Sequence, residues 1–275
     1  MAPARLLAAA TLTLLATALL LSRPALALEI VPLQGAVRLV GPIEPGDFAA
    51  FEAYMLEHGD TTFMVELDSR GGDIVEAIRI GRFIRQIYLS TWMTNVHGAT
   101  RAECLSACVF VLAGGIERRV NPNARYEPVV GLHRPYFDAK HYASLDLSAA
   151  KDQYAAAEML ARSYLQEMGI DPDLIERMFR TPSSDIDILS DDDLDGLTWI
   201  APYYDERLIA ACGALSIAED AQFRELTRNG APSGRMEDQP VFQKLWNIKM
   251  CRAKVQTEDR RAAIAAYRES LQSAL

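Results

Sequence analysis

The stretch from Thr62 to Thr94 restricts the fold more than any other part of the chain. Thr62-Phe63-Met64-Val65-Glu66-Leu67-Asp68 is short, apolar and β-prone, and it runs into Ser69-Arg70-Gly71-Gly72-Asp73. A continuous apolar run of this length, closed by turn residues, predicts a buried strand followed by a glycine turn and a helix start. Ile74, Ala77, Ile78, Ile80, Ile84 and Ile87 spread over the next segment. They predict a mostly buried helix with Arg79, Arg82 and Arg85 outward. A second strand is expected at Ser90-Thr91-Trp92-Met93-Thr94. Strand, helix and strand in this order describe one β-turn-α-β unit over about residues 62–95.

The pattern then repeats. Ala102-Glu103-Cys104-Leu105-Ser106 leads into the apolar run Ala107-Cys108-Val109-Phe110-Val111-Leu112-Ala113, stopped by Gly114-Gly115. That run suits a strand or a buried helix, and the small residues at its start favour helix. Short strands are expected at Arg118-Arg119-Val120 and Val129-Val130-Gly131-Leu132. Alternation of this kind implies an α/β core with parallel strands. Upstream, Ala36-Val37-Arg38-Leu39-Val40 is apolar, and Asp47 is positioned to cap a helix through Phe48, Phe51, Tyr54 and Met55. Downstream, helices are expected over 146–169 and 172–180. Residues 205–275 read as helical, with breaks near Asn229-Gly230, Pro232-Ser233-Gly234 and Pro240.

The N-terminus carries a separate message. Arg5 precedes an apolar run from Leu6 to Leu21, and Ser22-Arg23-Pro24 leads to Ala25-Leu26-Ala27. A charged start, an apolar middle and a small-x-small site describe an export signal over residues 1–27, cleaved after Ala27. The alternative is an uncleaved anchor, for which a span needs about 20 apolar residues. The expected location is periplasmic or secreted. Loss of Arg5 and Arg23, with no acid lost, would make the formal charge of −9 more negative by two. An acidic chain without a basic cluster argues against nucleic acid and against anionic lipid as partners.

The four cysteines are Cys104, Cys108, Cys212 and Cys251. Export makes disulfides the natural reading, and four cysteines allow three pairings. Cys104–Cys108 with Cys212–Cys251 is the simplest. The C-x3-C spacing lacks the second close pair or His pair of a zinc site. Asp191-x-Asp193-x-Asp195-Gly196 opens like a calcium loop. Its twelfth position is Pro202, where a bidentate Glu is needed. Ser190 as a helix N-cap with acids in the first turn explains that run better. No metal and no cofactor is expected.

Three pieces could carry chemistry. Paired glycines after a buried strand turn backbone N–H groups toward a ligand and can stabilise an oxyanion. Ser106 sits where a small-residue turn enters an apolar helix, where the N–H of Ala107 could join such a hole. The alternative role for Ser106 is a simple N-cap. His133, one of four histidines, ends the apolar strand before Arg134-Pro135. It could be a core residue or a general base, the role for which histidine is the commonest side chain.

In order, Leu67-Asp68-Ser69-Arg70-Gly71-Gly72-Asp73, Cys104-Leu105-Ser106-Ala107-Cys108 and Gly131-Leu132-His133-Arg134-Pro135 resemble the peptidase subunit of Clp protease. They resemble still more the exported Clp-protease-like proteins of bacteria. The resemblance covers about residues 30–200. It implies a Clp-protease/crotonase-type α/β fold with a repeated ββα core over residues 28–204, followed by a helical extension over 205–275. It also implies an exported serine hydrolase, a peptidase acting on peptide or small acyl substrates. Ser106 would be the nucleophile, and His133, 27 positions on, its base. Gly71, Gly72 and Ala107 would form the oxyanion hole.

In the resembled family an acid precedes a Leu-Ser segment, which Leu189-Ser190 matches here in a shortened form. Asp185 is the preferred third member and Asp187 its rival. Exported relatives that pair serine with lysine make Lys140, 34 residues after Ser106, a competing base. The family commonly forms homo-oligomers, and residues 146–169 resemble its stacking helix. No ATP-dependent unfoldase is expected outside the cytoplasm. A catalytically inactive binding or scaffold protein in the periplasm is therefore the alternative function.

Overall fold

A computed structural model describes residues 28–93, 102–120, 128–137, 139–229 and 235–273. The expected export signal, residues 1–27, lies outside the described residues. The chain opens with an antiparallel pair, β1 (Glu29–Leu33) and β2 (Ala36–Val40), and helix α1 (Asp47–His58). Then come β3 (Met64–Asp68), α2 (Ile74–Gln86), β4 (Ser90–Met93), β5 (Glu103–Leu105), α3 (Cys108–Ala113), β6 (Glu117–Val120) and β7 (Val129–Leu132). A helical stretch follows, with α4 (Ala139–Ala143), α5 (Leu147–Glu167) and α6 (Pro172–Arg180). The chain ends with β8 (Asp187–Ile188), α7 (Asp191–Leu197), β9 (Trp199–Ile200), α8 (Pro202–Cys212), α9 (Ile217–Asn229) and α10 (Pro240–Ser273).

The protein is mixed α/β with two sheets. The larger has the order β1-β2-β3-β4-β6-β9, and the smaller β5-β7-β8. β2, β3, β4 and β6 run parallel, while β1 and β9 close the edges antiparallel. In the smaller sheet β5 and β7 are parallel and β8 is antiparallel. Parallel strands require crossovers, and α2 supplies the one between β3 and β4. Its Ala77, Ile78, Ile80 and Ile84 are buried in the main core, as the periodicity predicts.

Two local expectations change. Asp47 is the first residue of α1, and Gly46 takes the cap position. Buried Asp47 instead accepts from the Leu28 and Glu44 N–H groups. The free N–H groups at the start of α1 are met by Glu76 of α2, which accepts from Gly46 and Phe48. Arg85 does not point outward. Its guanidinium donates to the carbonyls of Ala113, Gly114 and Gly115 at the end of α3. A buried helix end has orphan carbonyls that need donors, and no polar residue within α3 can supply them.

Arg118 does the same on a larger scale. It is only 1% exposed and donates to the carbonyls of Ala113, Met168, Gly169 and Leu197. It thereby joins the ends of α3, α5 and α7, with Trp199 stacked on its guanidinium at 4.3 Å. Burial, with Arg85 nearby, lowers its pKa. The carbonyls offset that cost, as a buried cation requires.

The helical tail packs back on the α/β core. The break expected near Pro240 falls at Gln239, and Pro240 then begins α10, where its missing N–H costs nothing. The break near 230–234 lies outside the described residues. The boundary expected near residue 204 falls inside α8. Ile264 of α10 belongs to the main core cluster, Tyr267 bonds Glu52, and Arg268 bonds the Leu56 carbonyl. Disulfides join Cys104 to Cys108 and Cys212 to Cys251, the second tying α8 to α10. Both fit an oxidising setting. Among the described residues no helix is long and apolar enough to cross a membrane.

Arg118→Met should lower the unfolding free energy by about 3 kcal/mol, because the Met168, Gly169 and Leu197 carbonyls lose their guanidinium donor together, while Ala113 keeps Arg85. Urea unfolding followed by circular dichroism would measure it. A change below about 0.5 kcal/mol would show that the guanidinium is not a structural tie.

Candidate active site

The site is assembled by backbone pairing at the carboxyl end of β3. Beyond Asp68, the Ser69 N–H bonds the Glu103 carbonyl at 2.7 Å, and the Leu105 N–H bonds the Ser69 carbonyl at 3.0 Å. A bridge between Ser69 and Cys104 thus carries β3 onto β5. Next to it, β5 pairs with β7 through Cys104 with Val130 and Leu105 with Gly131. The Ser106 N–H continues this ladder to the Gly131 carbonyl at 2.9 Å. Gly71-Gly72, Ser106 and His133 therefore follow the carboxyl ends of three strands that lie side by side. In open α/β sheets such ends are where ligands bind.

Gly71 and Gly72 have φ values of 91° and 149°. A Cβ at Gly71 would lie 2.7 Å from the Leu105 carbonyl oxygen, 2.8 Å from the Ala107 nitrogen and 2.8 Å from the Ser106 Cβ. The glycine turn is thus in direct contact with the serine turn. The Gly71 N–H is taken by the buried Ser69 Oγ at 3.1 Å, so Gly71 serves by its small size. The N–H groups of Gly72 and Ala107 have no hydrogen-bond partner among the described residues. They are the two donors of the expected oxyanion hole left open to an incoming oxygen.

Ser106 adopts a left-handed backbone, φ 56°. For a residue with a Cβ this costs roughly 1–2 kcal/mol. Such strain persists only where the surroundings over-determine it, and it clusters at functional sites. Here the Gly131 carbonyl holds the serine N–H, the Val109 N–H holds its carbonyl at 3.0 Å, and the Cys104–Cys108 disulfide spans the turn. Ser106 is not the helix cap, since Ala107 occupies that position and no side chain caps α3. Its Oγ is half-buried and makes no hydrogen bond to a described residue. A sharp, strained strand-to-helix turn that presents a free serine hydroxyl is the geometry of a nucleophile elbow.

His133 is 8% exposed, and its Nδ1 lies 2.8 Å from the Arg134 carbonyl. A carbonyl can only accept, so a neutral imidazole carries its hydrogen on Nδ1 and leaves Nε2 as the basic nitrogen. No hydrogen bond joins this ring to Ser106 among the described residues. Catalytic contacts of this kind are often loose in unliganded proteins and tighten around substrate.

Among the described residues no hydrogen bond or ion pair joins either expected acid to His133. Asp185 is exposed, and its carboxylate accepts from the Ile186 N–H at 2.8 Å. Asp187 lies on β8 opposite Leu132, the residue before His133. Its carboxylate is held by Arg177 through bonds of 2.6 and 3.0 Å. Arg177 also donates to Asp193, and its hydrogen bonds to the two carboxylates raise its pKa above the ordinary value. The group that orients His133 is a main-chain carbonyl, and a main-chain carbonyl leaves no trace in residue identity. The left-handed turn at Ser106 was equally invisible.

Lys140, the competing base, is an exposed residue of α4. The Asp191–Asp195 run is explained by capping: Ser190 Oγ accepts from Asp193, whose carboxylate accepts from the Ser190 N–H. No group of three or more His, Cys, Asp or Glu side chains able to hold a metal occurs among the described residues. No protein-family model matches the chain, and no curated protein matches it.

The strain at Ser106 has a thermodynamic signature. Ser106→Gly should be more stable than Ser106→Ala by about 0.5–1 kcal/mol, since glycine escapes the left-handed penalty and returns only part of it as unfolded-state entropy. Denaturant titration of both variants measures the difference. Alanine being the more stable of the two would mean that position 106 is not strained.

Proposed function

We propose that the chain is an exported serine hydrolase of the Clp-protease/crotonase type, a peptidase for peptide or small acyl substrates. The observation that carries this reading is the left-handed Ser106, with a free hydroxyl beside the free N–H groups of Gly72 and Ala107. An N-cap or a core serine needs neither the strain nor the open donors.

In this mechanism Ser106 Oγ attacks the substrate carbonyl as His133 Nε2 takes its proton. The carbonyl oxygen becomes an oxyanion stabilised by the Gly72 and Ala107 N–H groups; one such donor is worth about 10²–10³ in rate. The His133 proton passes to the leaving group, and water activated by the same imidazole releases the acyl group. The Arg134 carbonyl keeps His133 in the required tautomer. As a neutral acceptor it stabilises the imidazolium less than a carboxylate would. The proposal is therefore a modest hydrolase built on a serine–histidine pair, with Asp185 as third member the competing form.

The two disulfides support an oxidising location, in line with a signal cleaved after Ala27 and a periplasmic or secreted protein. Without an unfoldase to feed it, such an enzyme suits short or unfolded chains.

Labelling by a fluorophosphonate probe tests the reading. The wild type should label. Ser106→Ala should abolish labelling, and His133→Ala should slow it by about 10² or more. Lys140→Ala should leave it intact. Asp185→Asn should change the rate by less than about threefold if the Arg134 carbonyl orients the histidine, and by about 10³ or more if Asp185 does. A folded wild type that never labels would leave the chain as a binding or scaffold protein.

A further inference from the structure

At the other end of the large sheet, α10 lies across the first residues of β3 and β4. Between them is a cavity of about 380 Å³, lined by Met64 and Ser90 at the strand starts and by Tyr88, Trp92, Arg252 and Arg260. This is not the serine site, which follows the opposite ends of the strands.

The cavity contains a group of donors that have nothing to bind. Arg260 is 2% exposed, yet it makes no hydrogen bond or ion pair to any described residue. The Phe63 ring lies 5.8 Å from its guanidinium carbon, and Tyr204 and Asp60 act on it through space without a hydrogen bond. The Nε of Arg252 and the indole N–H of Trp92 are also buried without an acceptor. Burying a cation without a partner is among the costliest arrangements in a protein. Arg118, equally buried, shows the usual solution, with four carbonyls around it. Of the four buried side-chain polar atoms without a partner among the described residues, the Tyr204 hydroxyl lies outside this cavity's lining, and the three within it are N–H donors. What these three lack is an acceptor, and the unpaired charge asks for an anion.

The charges bound the kind of anion. Arg252 has Asp205 at 2.9 Å, and Arg119, which also lines the cavity, pairs with Glu117. Lys249 also lines the cavity but is exposed to solvent, so the buried charge left uncompensated is that of Arg260. One negative charge balances it, whereas a dianion would also face Glu117. The remaining wall is apolar and aromatic, with Phe63, Met64 and Tyr88. We propose that this cavity binds a small organic monocarboxylate, its carboxylate against Arg260, Arg252 and Trp92 and its apolar body against Phe63, Met64 and Tyr88. A free alkyl carboxylate and the carboxyl terminus of a short apolar peptide share this chemistry.

Calorimetric titration of the full chain with hexanoate and with N-acetyl-leucyl-leucine tests the site, each against its neutral amide. Binding of either acid, with its amide weaker by about tenfold or more, is the expected result, and the better acid identifies the source. Arg260→Met removes the charge and keeps the volume. It should leave the fold intact and weaken the acid by about tenfold or more. Trp92→Phe, which loses only the indole N–H, should weaken it severalfold. The proposal is overturned if neither acid binds, if acid and amide bind alike, or if a folded Arg260→Met or Trp92→Phe protein binds as tightly as wild type. In the first case the donors are met by water alone.

Discussion

A serine held in the left-handed region is the feature around which the rest of this molecule is arranged. The penalty of roughly 1–2 kcal/mol is a sizeable share of the stability of an ordinary domain. It is carried by contacts that cannot easily relax. On one side, the β5–β7 ladder ends on the serine's own N–H. On the other, Gly71 approaches so closely that any side chain there would strike the Leu105–Ala107 backbone. Cys104 and Cys108 close the turn from behind.

What lies behind the turn is as constrained as the turn. Helix α3 is a single short segment that is fully buried, so its final carbonyls depend on donors from elsewhere. Arg85 reaches them from α2, and Arg118 reaches them from β6 while also gathering the ends of α5 and α7. The two arginines fix the distal end of the helix whose other end carries Ser106.

The pattern of strands and helices was legible because its causes are local. The apolar run before Gly71-Gly72 and the periodicity after Asp73 describe β3 and α2 with little error, and the glycines, serine and histidine singled out by their order follow the ends of three neighbouring strands. What could not be read depends on tertiary partners. Asp47 has the residue type of a cap, but Glu76 from another helix supplies the acceptors. Arg85 occupies an outward-looking position in its helix, yet carbonyls from α3 draw it in. The expected acid was placed by the spacing of a resembled family, whereas His133 is oriented by a carbonyl one residue away and Asp187 is held by Arg177. Residue identity carries no record of a main-chain acceptor. The pairing of the cysteines, by contrast, followed from proximity along the chain.

Hydrolysis at Ser106 requires that its turn and the glycine turn together form an oxyanion site. A crystal structure of the protein reacted with a phosphonate probe tests this most directly. The expected result is a bond from phosphorus to Ser106 Oγ and a phosphoryl oxygen within about 3 Å of both the Gly72 and the Ala107 nitrogens. A phosphoryl oxygen turned to solvent, with those two N–H groups still unoccupied, would contradict it.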